Sequence, residues 1–428
     1  MVGKREVAPG TFGGRLRRLA LDLSPLRERD FRLLWSGEVV SEIGSNITLV
    51  AVLLQVDALT KSPAAVGLIG LVQLIPLMLA ALFGGSWIDR LDRRKLLLGA
   101  QIGQAAASAL LLAGALMHDT PLLLIYTGAA LVAAGSGFSL ATRSSMTPSL
   151  VPPDRLPSAL ALNQVMWNTA QIVGPALGGV VVGTLGFAWA YGIDVVSFSA
   201  TITAAILMRP RPPVVDPDEE VLGSWRRLME GVRYLQGRRV LQATFAVDLI
   251  AMVFGMPRVL FPALARTQFH GGPELAGLLF ASVSFGAVLA ALSSGWLHRV
   301  VRQGRAIVLA IVVWGLAIAG FGLVGDRIGL AVALLALAGG ADVVSAVLRS
   351  TILQATVPDS LRGRLSGIHI TVVAGGPRIG DFEGGIVASV FSPAVSVVSG
   401  GLICAIGVVV FAALVPAFGN YRVGDSTV

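Results

Sequence analysis

Gly85-Ser86-Trp87-Ile88-Asp89-Arg90-Leu91-Asp92-Arg93-Arg94-Lys95 leaves one apolar run and enters another. Residues 64–88 and 96–117 are each long enough to cross a bilayer, which takes roughly 20 residues of helix. So short a charged turn makes them neighbouring antiparallel spans. The pattern repeats outward from this point. Further apolar runs fall at 31–57, 121–142, 158–183 and 187–208. A second set falls at 240–266, 274–297, 306–324, 328–349, 361–389 and 395–416. None alternates in polarity as a barrel strand must. A helix satisfies its own backbone hydrogen bonds in lipid. The expectation is an all-α membrane protein of twelve transmembrane helices in two six-helix halves.

Composition agrees. Hydrophobic residues make up 54% of the 428 and charged residues 14%, against about 25% charged in soluble domains. The net charge is +8, and its distribution points to a membrane rather than to nucleic acid. Almost all of the 33 Lys and Arg fall in the tails and in alternate loops. The other loops hold only Lys61, Arg266 and Arg327, and Arg258 and Arg378 fall inside spans. Such one-sidedness places both termini in the cytoplasm. The expected units are a tail at 1–30, one half at 31–208, a linker at 209–239, a second half at 240–418 and a tail at 419–428. The linker opens on Arg209-Pro210-Arg211-Pro212-Pro213, and its part around Trp225–Tyr234 reads as an interfacial amphipathic helix. The first thirty residues lack a signal peptide's apolar core. The single cysteine, Cys404, excludes a disulfide framework.

The halves resemble each other. An offset of 206 lays Arg143-Ser144 on Arg349-Ser350, and Val151-Pro152 on Val357-Pro358. It also lays Gly174, Gly178 and Gly179 on Gly380, Gly384 and Gly385. Internal repeats of this kind are typical of secondary transporters, with the substrate site between the halves near the midplane.

Ionisable residues within spans are rare and functional by default. Glu38 and Glu42 share one face of the first span, continued by Ser45 and Asn46. Asp248 in the seventh span lies at the repeat position of Glu42. Asp342 is in the tenth span. Arg378, Asp381 and Glu383 are in the eleventh, where Arg378 and Asp381 are spaced to pair. These seven are the proton-coupling candidates; the alternative is that several are structural pairs or lie near the water boundary. In the fifth span Gln164, Asn168 and Gln171 make an amide stripe beside Asn163 and Trp167. With Asn46 they are the substrate-cavity candidates; interhelical hydrogen bonding is the alternative. Small residues at Gly174, Gly178 and Gly179, with Pro175, make a face for close helix packing. No phosphate-cradling Gly-Lys-Ser/Thr loop is present, and the four histidines have no metal spacing. Neither an enzyme nor a cofactor is expected, and protons would supply the driving force.

The loop at Gly85, Asp89, Arg90, Arg93 and Arg94 resembles the signature loop of the major facilitator superfamily, with Asp92 where a glycine is usual. Gly85 would allow close helix approach, Asp89 would face the helix start after Pro358, and the arginines would sit at the anionic leaflet. In the second half the loop reads Ser294-Gly295-Trp296-Leu297-His298-Arg299, with His298 in place of the acid. The Gly174-Pro175 stretch resembles that superfamily's antiporter motif. Phe31–Trp35, Leu59–Pro63 with Val66-Gly67, Pro257–Leu264, Leu353-Gln354, Pro358, Gly363-Arg364 and Ser366-Gly367 resemble the enterobactin-exporter group, from which the stretch 376–383 departs. The resemblance implies alternating access and proton-driven efflux of siderophores or drugs from a bacterial inner membrane by a monomer. Two other functions fit the same sequence: an importer or facilitator of a small nutrient, and a non-transporting membrane receptor. Arg143 and Arg349, at matching helix ends, are expected to partner the signature loop or to anchor lipid.

Overall fold

The computed structural model describes residues 22–88, 91–210, 229, 233–357 and 359–422, with side chains there except 81–88, 298, 359–371 and 374. Twelve long helices follow one another among them. The first six are α1 (Arg29–Thr60), α2 (Pro63–Ile88), α3 (Arg93–Ala115), α4 (Leu122–Leu150), α5 (Leu156–Leu185) and α6 (Phe187–Leu207). The second six are α7 (Arg239–Phe254), α8 (Pro273–Ser293), α9 (Gln303–Leu323), α10 (Ile328–Thr356), α11 (Asp359–Val390) and α12 (Pro393–Leu414).

Eleven helical segments among the described residues are long and apolar enough to cross a membrane. The remaining long helix is α11, which has 32 residues but carries Arg362, Arg364, Arg378, Asp381 and Glu383. It nevertheless packs within the bundle, against α2 and α7.

The seventh span was expected as one helix over 240–266. Instead α7 stops at Phe254, a single turn follows at Arg258–Leu260, and a short helix resumes at Phe261–Thr267. Pro257 and Pro262 explain the break, since neither has an N–H to give to a continuous ladder. Of the expected linker helix, Met229 and Arg233–Leu235 are helical, and the rest lies outside the described residues.

Packing is patterned. α1 lies on α5 and α6, α3 on α4 and α6, and α2 on α4. The same pairings recur six helices on: α7 with α11 and α12, α9 with α10 and α12, and α8 with α10. Across the two sets, α2 runs along α11 and α5 along α8. The starts of α1 and α3 and the end of α6 lie on one face, here the basic face. The turns at Lys61–Ser62, Gly186 and Gln268–Gly272 lie on the opposite face.

Two segments tie down the basic face. Asp22 accepts from the Ser24 amide and hydroxyl and from the Ser158 hydroxyl at the start of α5. These donors, the Ser24 amide first, hold its carboxyl below the usual range. Arg155 reaches Glu28 at 3.0 Å.

Candidate functional site

The expected site residues gather in three places: a buried seam in the first six helices, its counterpart in the second six, and the crossings between them.

In the first six, Arg143 of α4 contacts both α1 carboxylates. It pairs closely with Glu38 and lies 3.5 Å from Glu42. Glu38 is buried, and Gln101 of α3 donates to it at 3.4 Å. Gln101 and Gln104 both donate to Ser139, and Thr201 of α6 donates to Gln101. The second six repeat the central pair. Arg349 of α10 lies 2.7 Å from Asp248 of α7, both almost fully buried, and Ser345 accepts from the same guanidinium. Neither Asp248 oxygen is aligned for a hydrogen bond, so charge rather than direction holds this pair. The sequence-based expectation for Arg143 and Arg349 is thereby corrected. Both turn inward onto carboxylates, because a membrane interior leaves a buried acid no better partner.

Arg93 and Arg94 of the signature loop also turn inward rather than toward lipid. Arg94 donates to the carbonyls of Ala205 and Ile206 at 2.6 Å each, satisfying the end of α6. Arg93 donates to the Ser145 carbonyl at 3.0 Å. Asp92 is the N-cap of α3, accepting from the Arg94 amide; a glycine there would lack that acceptor. Gly85 falls in α2, and Asp89 and Arg90 lie outside the described residues. His298 lies outside the described side chains, in a two-turn 3-10 segment at Ser294–Arg299.

Asp342 and Asp381 sit around the break in the seventh span. Asp342 lines a small internal cavity with Arg258, Phe261 and Trp314, and the Trp314 indole donates to the Gly255 carbonyl freed by the break. Arg258 is near enough to Asp342, Arg378 and Asp381 to act on the charge of each. Arg258 was placed within a span by the sequence but assigned no role. Its signal was the pair of prolines around it. Glu383, two residues beyond Asp381 on α11 and so on another face of that helix, is half-buried.

The α5 candidates divide. Gln164 donates to Asn168 at 3.0 Å, and Trp167 is 46% exposed. Asn163 and Gln171 are half-buried. Asn46 faces elsewhere: it is buried beneath Gly174 and donates to the Glu42 carbonyl of its own helix.

The glycine stretch of α5 serves two neighbours. Gly174 and Gly178 lie on α1, against Asn46 and Ile47. Gly179 faces across to α8, where a Cβ would stand 2.8 Å from the Cα of Gly277 and 2.6 Å from the Pro273 carbonyl. The crossing of α2 and α11 repeats this. A Cβ on Gly385 would stand 2.8 Å from the Cα of Gly67 and 2.7 Å from the Pro63 carbonyl. Glycine is required at both crossings because backbone meets backbone. Both lie toward the opposite face. There Arg266 also grips Asp57 through two bonds, 3.0 and 3.1 Å, joining α1 to the short helix after α7. The two sets are therefore in contact at the opposite face.

Comparison with known proteins gives this geometry its context. The family model described as transmembrane secretion effector matches residues 20–423. The enterobactin exporter EntS of Escherichia coli O1:K1 / APEC is 30% identical over 401 residues, 92% of this chain and 94% of that one. The exporter of the same name from Citrobacter koseri is 30% identical over 381 residues, 88% and 89% of the two chains. Among solved structures, a peptide transporter POT in complex with alafosfalin superposes with a TM-score of 0.72 at 12% identity, covering 93% of this chain and 96% of that one. A bacterial homolog of the human lysosomal transporter Spinster, inward-facing and unoccupied, gives 0.65 at 16%, covering 93% and 97%. These two likenesses establish a shared fold. The chain is a multi-pass membrane transporter of the major facilitator type, a member of the transmembrane secretion effector family.

Proposed function

We propose that this transporter is a proton-coupled exporter of amphipathic small molecules, siderophores or drugs, in a bacterial cytoplasmic membrane. Both termini and the 209–239 linker are cytoplasmic in this reading, so the basic face is the inner face. Residues 31–208 and 240–418 move as two halves around a central cavity, and the protein works as a monomer. The observation that carries the proposal is the mirrored pair, Glu42–Arg143 and Asp248–Arg349, in a chain similar to enterobactin exporters over nearly its whole length.

The chemistry follows from those pairs. A carboxylate held by an arginine in a low-dielectric interior is stabilised as an anion. Protonating it releases the arginine, and the helices it joined are then free to move. α1 and α4, or α7 and α10, would be uncoupled in this way. With the opposite face closed by two glycine crossings and the Asp57–Arg266 pair, cargo enters from the cytoplasm. A proton arriving from outside resets the cycle. The amide stripe Gln164–Asn168–Gln171 with Trp167 offers hydrogen bonds beside an aromatic face, which suits a large, partly polar cargo.

Inverted membrane vesicles test this. Imposing a proton gradient should drive uptake of a siderophore or a cationic dye, and Glu42→Gln or Asp248→Asn should uncouple that uptake from pH. Uptake in right-side-out vesicles with none in inverted ones would replace export by import. No proton-linked flux in either orientation, with both variants behaving as the parent, would leave a receptor.

A further inference from the structure

Asp194 is in none of the acid–arginine pairs, yet it is the most deeply buried carboxylate among the described residues, with 0% of its surface exposed. It sits on α6 where that helix packs between α1 and α3. Ser108 of α3 donates to its Oδ2 at 2.7 Å. Ser45 of α1 and Ser197 of its own helix lie 3.4 Å from its Oδ1. The single proton of Ser197 has a better acceptor at 2.7 Å, the Asp194 carbonyl. Thr48 of α1 lies within reach of the same carboxyl and is buried with its hydroxyl unpartnered.

No cation pairs with Asp194 among the described residues. α5, between Leu156 and Leu185, and α3, beyond Lys95, have no ionisable side chain. On α1 the nearest charged groups toward the basic face are Glu42 and Glu38, one and two turns from Ser45, and both are engaged by Arg143. Toward the opposite face the next is Asp57, held by Arg266. An isolated carboxylate with one close donor is strongly unfavourable in such a setting and neutralises instead. A metal ion does not fit. The α1 backbone at Gly44 lies so close that a Cβ there would stand 2.9 Å from Asp194 Oδ1 and 2.8 Å from Ser197 Cβ. The occupant that fits is a proton. A carboxylic acid can donate to the Ser45 or Ser197 oxygen while its other oxygen accepts from Ser108.

We propose that Asp194 is a proton-binding site enclosed by α1, α3 and α6 and carries a proton in this conformation. Two turns along α6 from Asp194, Thr201 donates to Gln101, which donates to Glu38. The neutral acid and the charged acid–arginine pair therefore lie two turns apart along the same helix. The site's use in transport rests on the proton-coupled reading; its existence does not.

The test is infrared spectroscopy of the full chain in lipid at neutral pH. The parent should show the carbonyl stretch of a protonated carboxyl group, and Asp194→Asn should lose one component of it. Glu42→Gln should retain that component. Should Asp194→Asn fail to fold, Ser108→Ala keeps the acid and removes its close donor, and should shift the same component. Spectra unchanged in every recovered variant overturn the proposal. So does a sodium-dependent gain in thermal midpoint that Asp194→Asn abolishes. A present signal with no proton-driven flux leaves the site standing and removes the export reading; flux with an unchanged spectrum does the reverse.

Discussion

Arg349 touches Asp248 at 2.7 Å at the positions where the repeat offset places Arg143 and Glu42, which lie 3.5 Å apart. One ion pair thus occurs twice, once in each set of six helices. The copies differ in one respect. Arg143 is within ion-pair distance of two acids, whereas among the described residues Arg349 is within that distance of Asp248 alone, with Asp342 near enough to feel its charge.

That difference makes the copies unequal in stability. Asp248→Ala leaves a guanidinium that is 2% exposed without its close counter-charge, and stranding one member of a buried pair costs about 3–5 kcal/mol. Glu42→Ala leaves Arg143 still paired with Glu38 and should cost about 1 kcal/mol. Thermal or denaturant midpoints in lipid nanodiscs would rank the two, and equal losses would contradict the sharing.

The glycine crossings should control which face is open. In Gly277→Ala the new methyl would stand 2.7 Å from the Pro175 carbonyl and 2.9 Å from the Gly179 Cα. α5 and α8 must separate, disfavouring the closed opposite face by about 1–3 kcal/mol. Gly67→Ala should act likewise on α2 and α11. Distances between spin labels placed at the opposite-face turns should lengthen in both variants, and unchanged distributions would refute the crossings as closing points.

The Asp57–Arg266 bridge should add to that closure modestly. Asp57 is buried but Arg266 is 38% exposed, so the pair is partly screened and worth about 1 kcal/mol. Asp57→Asn should raise the open population about fivefold. The exchange Asp57→Arg with Arg266→Asp should restore the parent distribution, and high salt should narrow the difference between them. The same labels report all three.

Arg94 should matter through helix termination. Its two bonds to Ala205 and Ile206 are charge-assisted, about 1.5–3 kcal/mol each. Arg94→Lys can keep one of them and Arg94→Ala neither. Hydrogen exchange at the last turn of α6 should rise in that order, and a Lys variant as loose as the Ala variant would argue against the forked contact.

Much of this was legible in the chain. Apolar runs set the helices, because lipid demands about 20 residues of self-satisfied backbone. The fixed offset matched Glu42 to Asp248 and Gly179 to Gly385. What was not legible was who meets whom. Arg143 and Arg349 read as helix-end residues, and nothing in their neighbours told lipid from a carboxylate three helices away. Asp194 carried the same signal as Glu42, an ionisable residue inside an apolar run; that Ser45, Ser108 and Ser197 enclose it was not legible. Gly174 and Gly179 looked like one packing face, yet they contact α1 and α8 respectively.

The sequence by itself determined the membrane, the helices and the internal repeat, since each follows from local hydrophobicity and spacing. Tertiary structure alone decided the charge pairs, the neutral acid and the closed face. Each depends on two or more helices remote in sequence meeting within about 4 Å, the range at which a charge in a low-dielectric interior finds its partner or goes without.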